Sequence, residues 1–215
     1  MTPPASGSGP AAGGAPDTVR TTRSEAKAAR RAELIAAAAR QMAQRGFTAV
    51  RLEDIGAEVG VSGPAMYRHF SSKTDLLDQM LLDISERLQD GGAEVAEAGG
   101  EPAEVLHRLI EFHIDVLVTK PDLIAVQDRD LGSLTPDANR RVRSLQRRYV
   151  ESWVAVLLAV ADDAGHPLPE PQARVRVHAA FGLLNSSHRL PPYPEAELRD
   201  LLTDMALGAL LAGLD

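Results

Sequence analysis

The sequence predicts an all-α protein of about nine helices, with an N-terminal helix-turn-helix three-helix head joined to a C-terminal helical body. Three observations predict it. Alanine and leucine dominate every long segment, aromatic residues are only 4% of 215 residues, and apolar side chains recur at helical rather than alternating spacing. At roughly 100–200 residues per domain, the length suits one large domain or two small interdependent ones. Apolar residues at 44% and charged residues at 25% allow a sizeable buried core.

The opening stretch, MTPPASGSGPAAGGAP, has too few large apolar groups to offset the entropy of ordering it, so residues 1–22 are expected to be a disordered tail. From residue 24 the pattern turns helical: Leu34, Ala38 and Met42 form one stripe and Ile35, Ala39 and Ala43 its neighbour, until Gly46 stops the run. Residues 52–59 form a second helix with Leu52, Ile55, Gly56 and Val59 on one side. Gly60-Val61 makes a turn, and Ser62 is placed to cap a third helix over residues 62–70, with Pro64 in its first turn. Ser72 can cap a fourth, long helix carrying Leu77, Met80, Leu81, Ile84 and Leu88. Residues 91–102, with a double glycine at each of two places, read as a loop or frayed linker. Five more helices follow, over residues 105–119, 122–131, 136–164, 171–187 and 195–213, separated by Pro121, Pro136, Gly165-His166-Pro167 and the break from Pro191 to Pro194.

Net charge is −7, yet the charge is unevenly placed. Residues 18–75 carry ten Lys/Arg against six Asp/Glu, whereas residues 76–215 carry thirteen against twenty-three. A basic N-terminal segment on an acidic body is the pattern expected when one end meets nucleic acid and the rest does not. There is no cysteine, which removes disulfides, thiolate catalysis and cysteine-held metals and suits a reducing, cytoplasmic setting. No signal peptide and no membrane span is visible; the apolar run at residues 154–161 is far too short to cross a bilayer. No metal site is expected, because His107 and His113 are not at i, i+4 and no carboxylate cluster completes a ligand set. No cofactor is called for. Catalytic motifs are missing too, so an enzyme is not expected.

The run from Arg51 to Phe70, RLEDIGAEVGVSGPAMYRHF, has the grammar of a helix-turn-helix. Gly56 is small where the two helices cross, Gly60 supplies the turn, and Ile55, Val61, Met66 and Phe70 can pin the pair. In that geometry the second helix offers its first residues to a major groove while flanking groups grip phosphate. A helix pair with a glycine turn also occurs in bundles that never touch DNA, so the spacing alone leaves both readings open.

The segment from Gly46 to Leu77, GFTAVRLEDIGAEVGVSGPAMYRHFSSKTDLL, resembles the N-terminal domain of the TetR family of bacterial transcriptional repressors, above all in GVS, YRHF and the SKxxLL tail. Gly56, Pro64 and Arg51 depart from that family's usual residues. The resemblance implies a homodimer that sets two recognition helices in successive major grooves, about 34–36 Å apart, of a pseudo-palindromic double-stranded operator. It implies repression, with release when a small-molecule effector enters the body. By family position, Ser62, Gly63, Ala65, and Met66 or Tyr67 would face bases or sugars. Tyr67, His69 and Lys73 would hold phosphate, and Thr48, Arg51, Arg20, Arg23, Lys27, Arg30 and Arg31 would add attraction that ignores sequence.

The domains implied are a tail at 1–22, a DNA-binding domain at 23–72 and a ligand-binding and dimerisation domain at 73–215. Phe112, His113, Asp130, Tyr149, Trp153, Phe181 and Asn185 are the candidate lining of an effector pocket, each with core packing as the plain alternative. Trp153 stands out, since a buried indole needs a partner for its N–H. The effector class is an acyl-CoA ester or another apolar molecule. The last two helices, with VRVHAAFGLL at residues 175–184 and the stripe Leu198, Leu201, Leu202, Met205 and Ala209, are expected to pair two subunits. The alternative to this whole reading is a helical ligand-binding or adaptor protein that does not recognise DNA sequence.

Overall fold

A computed structural model describes the backbone of residues 17–214 and the side chains of residues 25–214; the first sixteen residues of the expected tail lie outside the described residues. The described residues form nine α-helices and no strand. Helix α1 spans Asp17–Arg45, α2 Leu52–Glu58, α3 Gly63–Met66 and α4 Lys73–Glu97. The body continues with α5 at Pro102–Thr119, α6 at Pro121–Asp130, α7 at Pro136–Asp163, α8 at Glu170–Asn185 and α9 at Glu195–Leu211. Prolines fall at or next to the first helical position of α5, α6, α7 and α8, where a missing N–H costs nothing in the helix ladder.

The first helix starts at Asp17, five residues before the expected end of the tail. Between Asp17 and the stripe of α1 there is neither Gly nor Pro, and extending an existing helix is far easier than nucleating one. Pro16 is the first residue that opposes extension. Downstream, Leu34, Ala37, Ala38 and Met42 are fully buried on one face. Gly46, at φ +85°, closes the helix by donating its N–H to the Met42 carbonyl at 2.8 Å.

The expected linker at residues 91–102 is mostly helix. α4 runs through Gly91 and Gly92 to Glu97, and the turn is confined to Gly99 and Gly100, both at positive φ. The glycine pair serves close packing instead. A Cβ on Gly91 would overlap the Phe112 ring of α5, and one on Gly92 would overlap the Tyr149 ring of α7. α4 therefore lies flush against both neighbours and packs extensively along α7. At its N-terminus the Ser72 hydroxyl accepts the Asp75 N–H at 3.0 Å, as the sequence predicts. Asp78 on the next turn accepts from the Thr135 N–H at 3.0 Å and from the Thr135 hydroxyl at 2.6 Å, while that hydroxyl caps α7 by accepting the Ala138 N–H.

One apolar core runs through the whole chain. Leu34, Met42, Ile55, Met66 and Phe70 of the head join Leu76, Leu77 and Met80 of α4, which continue into Leu109, Trp153, Leu157 and Leu184 of the body. Polar ties reinforce the junction. Arg31 of α1 pairs with Asp83 of α4 at 2.7 Å and donates to Gln79 at 3.0 Å. Arg129, at the end of α6, donates to the Met42 and Ala43 carbonyls that end α1, with Asp130 paired behind it at 2.9 Å. A cation is favourable beside the carbonyls at a helix C-terminus; here the Met42 carbonyl is shared between Arg129 and the Gly46 N–H, and the Ala43 carbonyl takes Arg129.

Replacing Gly92 by alanine tests the close-packing role. The added methyl must push the Tyr149 ring out of its place, so Gly92→Ala is expected to destabilise by about 1–3 kcal/mol, where an exposed linker would tolerate or welcome the change. Thermal unfolding reads it as a midpoint lowered by roughly 2–4 °C per kcal/mol for a chain of this size.

Candidate nucleic-acid interface

The head presents one exposed edge built by α2, α3 and the turn after it. α2 and α3 cross so closely at Gly56 that a Cβ there would lie 2.6 Å from the Val61 carbonyl oxygen and 2.7 Å from Met66 Cγ. Gly60, at φ +70°, turns the chain between them. Both glycines do what their spacing in the sequence predicts. α3 is shorter than expected: regular helix covers Gly63–Met66, and hydrogen-bonded turns carry the chain to Phe70 through His69 N–H to Met66 O at 2.9 Å and Phe70 N–H to Met66 O at 3.0 Å. Ser62 stands at the N-cap position, but its side chain accepts no capping hydrogen bond, so its exposed hydroxyl is free to meet another partner.

Along this edge Thr48, Arg51, Ser62, Pro64, Tyr67 and Arg68 are exposed, with Gly63, Ala65 and His69 half-buried between them. Tyr67 is 53% exposed and donates its hydroxyl to Glu53 at 3.1 Å, which holds the phenol proton on and pushes its pKa up. Arg51 precedes α2 in extended conformation and makes no side-chain cap. Among the described residues neither Arg51 nor Arg68 has a carboxylate within ion-pair distance, whereas Arg40 is held by Glu58 at 2.6 Å and Arg30 by Glu33 at 2.7 Å. Gln41 and Arg40 together hold the Glu58 carboxyl below its ordinary value. The side chains of Arg20 and Arg23 lie outside the described residues; Lys27 is exposed on α1, and Arg31 is engaged by Asp83.

Two expected contact residues have other roles. Met66 is fully buried and packs against Gly56, so it pins the helix pair and cannot reach a base. The Lys73 ammonium donates to the Phe47 carbonyl at 2.7 Å and the Thr48 carbonyl at 3.1 Å, and stands 4.5 Å from the centre of the Phe47 ring. It staples the loop after α1 to the start of α4 and, only half-buried, leaves its charge beside the exposed edge.

In the body, five of the seven candidate lining residues do come together. Rings of His113, Tyr149, Trp153 and Phe181 pack with centroids 4.9–6.0 Å apart. Asn185 Oδ1 accepts from His113 Nε2 at 3.2 Å, which fixes the tautomer and leaves Nδ1 to accept the Tyr149 hydroxyl at 3.1 Å. The side chains fill the space they were expected to line. Phe112 faces Gly91, apart from these rings, and Asp130 belongs to the Arg129 tie at the head. Trp153 is fully buried, and its indole N–H has no hydrogen-bond partner among the described residues. Burial holds the His113 imidazole down at about 4, opposed by the bond to Asn185, and pushes the Tyr149 phenol up.

Comparison with known proteins decides the family. Residues 34–80 match the model of the N-terminal domain of bacterial regulatory proteins of the TetR family, and residues 99–189 match that of a tetracycline repressor-like C-terminal domain. The chain belongs to the TetR family. As a TetR-family member it is a DNA-binding transcriptional regulator, and the edge built by α2 and α3 is the helix-turn-helix that the family model covers. The chain is 27% identical over 164 residues to the transcriptional repressor KstR2 of Rhodococcus jostii, spanning 75% of this chain and 77% of that one. A TetR-family regulator from Bordetella parapertussis superposes with a TM-score of 0.74 at 22% identity, over 85% of this chain and 94% of that one. AibR, crystallised with isovaleryl coenzyme A and operator DNA, has a TM-score of 0.66 at 18% identity, over 82% and 97% of the two chains. At these identities the superpositions show a shared fold.

Two measurements check these assignments. Lys73→Met keeps the apolar stem but loses the two carbonyl contacts; it is expected to cost about 1–3 kcal/mol in a thermal melt and to weaken operator and random DNA in equal proportion. Tyr67→Phe, at an exposed position, should leave the melting midpoint in place and lower operator affinity alone, read by fluorescence anisotropy. For His113 the sign follows from its depressed value: unfolded histidine titrates near 6.5 and the folded ring at about 4, so the unfolded chain binds the proton first. Stability is full above about pH 6.5 and declines as pH falls toward 4, by about 2 kcal/mol at pH 5. His113→Leu should flatten that decline in melts recorded between pH 7 and 5.

Proposed function

We propose that the chain is a cytoplasmic repressor that binds a pseudo-palindromic operator as a homodimer and lets go of it when a small effector enters the body. The observation that carries this is the pairing of an exposed helix-turn-helix edge with an exposed apolar face at the other end of the molecule. On α8 and α9, which pack side by side, Val175 is 68% exposed, Leu201 46% and Met205 45%, with Ala179, Gly182 and Gly208 open between them. A monomer leaves that face in water; a two-fold pair of α8–α9 units covers it. Small residues at Ala179, Gly182 and Gly208 let the helices of two subunits approach closely.

In this reading Ser62, Gly63, Ala65 and Tyr67 face base edges and sugars, while Thr48, Arg51, Arg68, His69 and the charge of Lys73 hold phosphate. The effector is an acyl-CoA ester or another apolar molecule. AibR binds such an ester, and the name of KstR2 marks that protein as a repressor. Entry at the ring cluster requires Phe181 or Tyr149 to move and gives the unpartnered Trp153 N–H an acceptor. Because Tyr149 packs on Gly92, that movement reaches α4 directly. The ligand acts only to the extent that it binds the opened state better than the DNA-ready one.

Anisotropy titrations with the DNA upstream of the chain's own gene test the proposal. The expected results are two subunits per site, preference for a palindrome over random DNA, and affinity that falls steeply with salt. Binding of random and upstream DNA with equal strength would favour the adaptor alternative.

A further inference from the structure

The rings of the aromatic cluster pack on one another, and a ligand-sized opening lies elsewhere. Between α1, α4 and the corner where α5 ends and α6 begins is a cleft of about 510 Å³, within the range that holds small molecules. Its floor is apolar: Ile35 on α1, Met80 and Ile84 on α4 and Leu123 on α6, widened by Ala32 and Ala36, whose methyls are too short to fill it. The corner is set by Pro121, which ends α5 and starts α6 within two residues. Arg129 clamps the far end of α6 onto α1, so the helices meet there and part toward Leu123.

The mouth is charged and unbalanced. Arg31, Arg40, Arg87 and Lys120 surround it against Asp83 and Asp122. Arg31 is neutralised by Asp83 and Arg40 by Glu58, whereas Arg87 and Lys120 have no carboxylate within ion-pair distance among the described residues. An apolar trough whose lip carries two uncommitted cations against one carboxylate, Asp122, that is likewise unpaired among the described residues keeps a net positive charge and is complementary to one kind of small molecule.

We infer that this cleft is a binding site for an apolar anion, a chain or ring system of about twelve carbons bearing one carboxylate or similar head, with Arg87 and Lys120 receiving the charge. The inference rests on the reading of the chain as a ligand-responsive regulator and adds where a ligand acts. An occupant here touches α1 of the head and α4 and α6 of the body at once. Its affinity therefore depends on the angle between head and body, and it biases that angle without a relay through the ring cluster.

The full chain is titrated with 8-anilinonaphthalene-1-sulfonate, an apolar anion that fluoresces on leaving water, and the complex is challenged with dodecanoate and with dodecanol. Dodecanoate is expected to displace the dye about tenfold better than the uncharged alcohol. Ala36→Phe, which fills the floor, and Lys120→Glu, which reverses charge at the mouth, should each weaken dodecanoate about tenfold while melting midpoints stay within a few degrees of the parent. Unchanged affinity in both variants overturns the inference. So does loss of affinity confined to Trp153→Phe, which would place the ligand in the ring cluster, or a tenfold gain on removing residues 1–16, which would make the chain's own N-terminus the occupant. Operator binding is measured separately: dodecanoate bound in the cleft of a chain that ignores DNA supports the site and removes the regulatory reading.

Discussion

The packing of α4 is the constraint on which the rest of the molecule depends. Its first turns complete the core of the head through Leu76, Leu77 and Met80, and its later turns lie so close to α5 and α7 that a Cβ at Gly91 or Gly92 would overlap a ring. The three-helix head completes its interior with apolar surface from a helix that the body also owns. Close-packed interiors do not deform continuously; they shift between discrete arrangements. The recognition edge and the body therefore share one packed helix, α4.

The polar ties at the junction add direction to that coupling. Arg31 fixes the middle of α1 to α4, and Arg129 fixes its end to α6. With both in place α1 is held along its length by helices of the body. The cleft opens on the side of α1 where alanines replace larger groups, so an unfilled apolar surface borders the helix that leads into the reading edge.

Much of this was legible in the sequence because the determinants are local. The stripe of α1, the turn at Gly60, the tight crossing at Gly56 and the cap at Ser72 each depend on residues within a few positions of one another. What escaped depends on distant partners. Gly91-Gly92 has the composition of a linker, and only the rings of Phe112 and Tyr149, supplied by two other helices, show why it is helix. Lys73 was legible as a cation beside DNA, but not that its acceptors are the main-chain carbonyls of Phe47 and Thr48. Met66, read from spacing as a pin of the helix pair and from family position as an alternative to Tyr67 at the DNA, is the pin: it is buried on a helix one turn long, where a shift of one residue exchanges inside for outside. Five of the candidate lining residues of the body lie together and Phe112 and Asp130 lie apart, and the spacing that brings five side chains to one place does not tell whether a space remains among them.

Arg129 carries a consequence for how such proteins can be recombined. The last carbonyls of the first helix are terminated by a guanidinium that enters from more than eighty positions downstream, so the boundary at which sequence comparison divides the chain is not a seam in the fold. A chimera that joins this head to a foreign body would leave the Ala43 carbonyl at the end of α1 without its guanidinium donor. Interchangeable parts, here, would have to be cut with their reciprocal fastenings attached.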